Sequence, residues 1–273
     1  MIGAPDRIDR LPVDAPYPQG AVTPSAIGEV LRCSALYKFR RVDRLETERS
    51  AALRWKLLLR AASAGFARGY RLATSDAALP ERLAEARRAA REAALAELQR
   101  GDGEIVPEII AKLDAALVTL ESRTWMSGTP LEGGERYVLH IEGCAPIVAQ
   151  VDFVVERDGE PVVIVVDAGR DSDEALERAD RNERLTAACL AYELAHGRAV
   201  RHAEVHLFAR EHAKVAIVPT TRGTQSYARL ECKARSASRT IAERDFRPTD
   251  SYSVCVSCPY STACTSTYGA FTA

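Results

Sequence analysis

Four of the seven cysteines constrain this chain more than any other feature. Cys255-Val-Ser-Cys258 and then Cys264 put three thiols within one short stretch near the C-terminus. A C-x2-C turn sets both sulfurs on one side, so the three can converge on one small centre. A four-coordinate site is then one ligand short. Cys33 is the natural fourth, and a site shared with it staples the two ends of the chain together. Zinc and an iron–sulfur cluster both accept four thiolates, so spacing alone leaves both open. Cys144, Cys189 and Cys232 stand apart, beside apolar neighbours or on helix faces, and read as small buried apolar side chains.

The redox setting follows from the same residues. The N-terminus, Met-Ile-Gly-Ala-Pro-Asp-Arg, carries no apolar h-region, and the most apolar run, Val162 to Val166, has the size of a strand. No membrane segment is expected, and a cytoplasmic, reducing location is. There, clustered cysteines mean metal more often than disulfide. With 273 residues, 47% hydrophobic, the chain is long enough for a sizeable buried core. Lys plus Arg number 37 and Asp plus Glu 38, a net charge of −1. That balance excludes holding nucleic acid by bulk charge, though not by a local basic groove.

Four regions are expected. Residues 1–22, with four prolines and no period, form an extended arm. Residues 23–132 are helical. Thr23-Pro24-Ser25 starts the first helix with a hydroxyl cap and a proline in the first turn. Its far end is basic and aromatic: Tyr37, Lys38, Arg40, Arg41 and Arg44. Further helices are expected over 50–72, over 80–99 (an exposed helix laced with opposite charges) and over 107–122. Residues 133–245 change period. Strands are expected at 137–141, 147–156, 161–167, 204–209 and 214–219, with helices over 173–196 and 224–242. The second and third strands form a hairpin through Asp158-Gly159. Residues 246–273 are the cysteine-bearing tail. The sum is a helical N-terminal half around a mixed sheet with a crossover helix, an α/β or α+β core. His202, His206 and His212 read as surface or edge residues.

With these residues in view, the chain resembles the RecB-like branch of the PD-(D/E)xK nucleases. It is most similar to the iron–sulfur nucleases of CRISPR adaptation modules and to AddB-type nuclease domains. In those, one cysteine near the N-terminus and a C-x2-C-x5-C tail hold a [4Fe-4S] cluster, here matching Cys33, Cys255, Cys258 and Cys264. The segment from Ser25 to Phe39 is similar to the family's serine-led helix, with Ser34 where proline is usual. The resemblance runs from about residue 23 to 264. It implies a restriction-endonuclease-like mixed sheet flanked by helices, and an iron–sulfur cluster joining the chain ends. It also implies DNA, as single strands or ends, as partner, within a larger nucleic-acid-processing complex.

The resemblance further implies a pair of strand-end carboxylates, Asp152 and Asp167, sharing Mg or Mn. A lysine two residues after the second acid should orient the attacking water. Here Gly169 stands in the lysine position and Arg170 follows it. Arginine stays protonated and is a poor proton shuttle. The family's helical His has no counterpart in Ala51–Lys56, and its Gln four residues before Tyr192 is Ala188. The expectation is a nuclease fold with weak or lost catalysis, Asp152 and Asp167 as vestigial ligands, and Tyr37, Lys38, Arg40, Arg41 and Arg44 on DNA. Lys233, Arg235 and Arg239 on the last helix are further candidates for phosphate contact. The alternatives are an active exonuclease in which Arg170 replaces the lysine, a non-enzymatic protein-binding subunit with a structural metal cluster, and a zinc-stapled scaffold unrelated to DNA.

Overall fold

The computed structural model describes residues 7–12, 15–46, 128–169, 179–209, 215–256 and 258–269, with isolated positions between 81 and 92. The helices expected over 50–72 and 107–122 lie outside the described residues, as does Arg170. In the helix expected over 80–99, Glu81, Ala84, Glu85, Arg88, Ala89 and Glu92 are helical. Arg88 pairs there with Glu85 at 3.2 Å and faces Glu92 at 3.9 Å, as its charge pattern suggested.

Six strands form one sheet in sequence order: β1 (Arg7–Leu11), β2 (Thr129–His140), β3 (Ile147–Arg157), β4 (Glu160–Gly169), β5 (His202–Ala209) and β6 (Val215–Thr221). Neighbours are antiparallel except β4 and β5. That parallel pair requires a crossover, and α3 (Glu183–His196) supplies it. The β3–β4 hairpin turns through Asp158 and Gly159, both at positive φ (52° and 81°), as a tight right-twisting turn demands. β1 is a correction to the extended arm. Its residues are extended but pair with β2 as an edge strand, Arg7 opposite His140. Its Arg-Ile-Asp-Arg-Leu sequence is too charged to read as a strand, and such charge is what protects an edge.

α1 (Pro24–Arg32) begins as expected: Thr23 Oγ1 accepts from the Ala26 N–H at 3.2 Å. It stops at Cys33, which is extended (φ −165°), and the chain resumes in α2 (Ser34–Tyr37) and a π-helical turn over Lys38–Val42. α4 (Thr224–Glu243) packs beside α1 and α3, and the short helices α5 (Tyr252–Cys255) and α6 (Ser261–Tyr268) form the tail.

The main core lies between one sheet face and helices α1, α3 and α4. Ile27, Leu139, Ile147, Val163, Val165 and Leu185 there are fully sealed from solvent. The opposite sheet face, with Phe153, Val155, Val162 and Ile164, is buried as well. Strands sealed on both faces explain why β4 reads as a continuous apolar run. His206 corrects the surface assignment given to it. It is 1% exposed, and its ring is 3.0 Å from Glu204 Oε2.

Candidate functional site

The β3–β4 ladder runs from Arg157↔Glu160 to Phe153↔Ile164, whereas β4 continues against β5 as far as Gly169. Beyond Phe153 the two strands therefore part, and the carboxylates predicted from sequence sit at this fork. Asp152 of β3 and Asp167 of β4 both lie at this opening, with Gln150 within hydrogen-bond reach of Asp152. Asp152 fills the gap. Its Oδ2 accepts from the backbone N–H of Val166 at 3.0 Å, and its Oδ1 from Gln150 Nε2 at 2.9 Å. Its side chain has no exposed surface.

Arg184, on the first turn of α3, closes the fork. One guanidinium nitrogen donates to Asp152 Oδ2 and the other to the Val166 carbonyl, the latter at 2.9 Å. Burial works against its charge, but Asp152 and Asp167 outweigh burial and raise its pKa further. Asp167, half-buried, accepts from Asn182 Nδ2 at 3.1 Å. Asn182 is also the cap of α3, its Oδ1 receiving the Leu185 N–H at 2.9 Å. One residue thus fixes both the start of the crossover helix and the second acid.

Arg184, Gln150 and Asn182 were not selected from sequence. A signal was present: Arg184 lies four residues before Ala188, hence on the same helix face as the empty Gln position. It was hidden because α3 is buried all round and shows no polar face. Tyr192 does not join this group. It lies two turns along the helix, about 12 Å of rise from Arg184. Its ring stacks on His196 with centroids 4.4 Å apart, and burial raises its pKa.

The chain ends meet as the cysteines suggested. Cys33, Cys255, Cys258 and Cys264 line one cavity of about 110 Å³, together with Leu36, Phe39, Pro248 and Val254. That exceeds the roughly 10–15 Å³ that one water needs. Burial pushes the Cys264 thiol up, and the neighbouring Cys33, Cys258 and Cys255 push it further. Phe39 packs on Tyr260 at 5.9 Å and edge-on to Tyr268 at 6.2 Å, and Tyr37 on Phe246 at 6.1 Å. Ser34, at the position where the resemblance leads one to expect proline, accepts from the Arg247 N–H at 2.7 Å and donates to its carbonyl at 3.0 Å. A proline there retains neither bond. Among the described residues, no group of three or more His, Cys, Asp or Glu side chains is gathered closely enough to hold a single metal ion. Of the remaining cysteines, Cys189 is buried, Cys144 half-buried, and Cys232 exposed on α4.

The basic-aromatic stretch is largely engaged within the protein. Arg40 and Arg41 close on Glu29 at 2.5 and 3.2 Å, and Lys38 on Asp43 at 2.5 Å. Burial would raise the Glu29 pKa, but Arg41 and Arg40 together take it below the usual carboxylate range. Arg44 is exposed. On α4, Lys233 pairs with Glu183 and Arg235 with Glu231, while Arg239 is exposed.

Residues 21–265 match the profile of the PD-(D/E)XK nuclease superfamily. No curated protein matches the chain. A candidate exonuclease from Eubacterium rectale superposes with a TM-score of 0.54 at 11% identity, covering 88% of this chain and 88% of that one. The protein SSO0001 superposes with a TM-score of 0.46 at 12% identity, covering 93% of this chain and 90% of the other. At 11% identity the first likeness concerns the fold alone.

Proposed function

The chain belongs to the PD-(D/E)XK nuclease superfamily, and on that footing we propose that it is a RecB-like, iron–sulfur member that handles DNA with weakened or lost hydrolysis. The observation that carries this reading is the fork. Its two acids are already engaged by Arg184 and Asn182, and the position that should carry a lysine is Gly169. No side chain at that position can orient a water or meet developing charge. Asp152 and Asp167 are the residues through which Mg or Mn, usual in this superfamily, would act; Arg170 as a replacement for the lysine belongs to the alternative of an active exonuclease.

The four cysteines around one cavity support the iron–sulfur part of the reading. A single zinc draws its sulfurs to about 2.3 Å from one point. A [4Fe-4S] cluster holds one thiolate at each corner iron and so tolerates a wider ring. Bound there, the cluster would act as a cross-link between Cys33 and the tail, with Phe39 and Leu36 shielding it from water. Brown protein with broad visible absorption supports this assignment; colourless protein containing zinc removes it.

For DNA, Arg44 beside the tail and Arg239 on α4 are the exposed cations of the candidate set that form no ion pair among the described residues. Fluorescence anisotropy with labelled single strands, blunt duplex and closed circles tests the reading. The expected result is preference for strands or ends over closed duplex, with affinity falling steeply with salt. Salt-insensitive or absent binding overturns it. The second reading, a protein-binding subunit, is favoured by Tyr252 and Val256, one turn apart beside Cys255 and 74% and 66% exposed.

A further inference from the structure

We infer that Arg184 is the built-in counter-cation of the Asp152–Asp167 pair, occupying with its guanidinium the position a divalent ion would take and keeping such ions out. This rests on the superfamily placement and on the fork, not on DNA binding.

Three observations converge. The Asp152 carboxylate is sealed from solvent, and hydrogen bonds engage both oxygens: Gln150 on Oδ1, the Val166 N–H and Arg184 on Oδ2. The Arg184 side chain is 34% exposed, so it covers the carboxylate from the solvent side. Its second nitrogen satisfies the Val166 carbonyl, which the parted ladder leaves without a strand partner on that side. An ion reaching Asp152 must therefore displace the guanidinium and strand that carbonyl. It must then sit beside a cation that no ordinary pH neutralises. Magnesium sheds water reluctantly and needs accessible oxygens, so the exchange is unfavourable at each step. Asp167 strengthens the arrangement, since it adds to the field that keeps Arg184 charged.

The test is equilibrium Mn²⁺ binding, read from the electron paramagnetic resonance signal of the free ion, on the full chain without DNA. The wild type should bind no Mn²⁺ beyond what Asp167→Asn binds. Arg184→Gln, which keeps a donor but removes the charge, should gain a site at least about tenfold tighter than any in the wild type. The added Asp167→Asn change should abolish that site. Arg184→Lys, retaining a cation, should stay closed. Stoichiometric Mn²⁺ binding by the wild type that Asp167→Asn removes overturns the inference. So does a folded Arg184→Gln that gains nothing. Should Arg184→Gln fail to fold, the wild-type comparison with Asp167→Asn decides alone. Because no readout involves DNA, loss of the DNA reading and loss of this inference are separate results.

Discussion

Glu204 offers the clearest quantitative test of how the fork is supported. It sits on β5 and reaches across β4, the strand that delivers Asp167, to hold Arg157 at the end of β3. The His206 ring completes the group at 3.0 Å. Burial alone would raise the Glu204 pKa; the bonds from His206 and Arg157 outweigh burial and bring it from 4.5 down to about 2. At about 1.4 kcal/mol per unit, that displacement corresponds to about 3 kcal/mol of folding stability. Glu204→Gln keeps the shape and removes the charge, so it should lower stability by about 2–3 kcal/mol at neutral pH, or roughly 5–10 °C in Tm for a domain of this size. The folded-state pKa is depressed, so the contribution is complete above 4.5 and is lost as pH falls through about 2. Urea unfolding of both proteins from pH 7 downward checks this. The gap should shrink to roughly half a little above pH 3 and nearly close by pH 2. A gap that stays constant over that range would show that the Glu204 charge is not what stabilises the strand triplet.

Cys33→Ser should give colourless protein of markedly lower stability, checked by visible absorption, iron content and thermal melting; full iron with unchanged stability would separate Cys33 from the tail cysteines. Arg44→Ala should weaken DNA binding evenly across sequences and flatten the salt slope by about one unit, measured by anisotropy; an unchanged slope moves the DNA path elsewhere. Gly169→Lys alone should not create robust nuclease activity with Mg or Mn, because Arg184 still occupies Asp152 and the Gln position is still Ala188. Robust degradation of a labelled strand by the wild type, abolished by Asp167→Ala, would instead establish the exonuclease alternative.

Much of this protein is determined by local pattern. The Thr23 cap, the Asp158-Gly159 hairpin and the β4–α3–β5 crossover follow from rules that act over a few residues. So does the buried run of β4, because a strand covered on both faces must be apolar throughout. The cysteine spacing carried further, bringing Cys33 and the tail to one cavity. The tertiary structure decided what those elements could not specify alone. β1 joins the sheet because β2 offers an edge, not because its charged sequence favours a strand. His206 is buried because Glu204, two residues along the same strand, satisfies its ring while Arg157 holds Glu204 across β4. Arg40 and Arg41 are spent on Glu29 because the chain turns back at Cys33. Above all, Arg184 meets Asp152 only because β3 and β4 part and α3 starts at Asn182. The two residues are far apart in sequence, and neither lies in a motif that contains the other. A pairing of that kind depends on where separate elements come to rest, and only packing settles that.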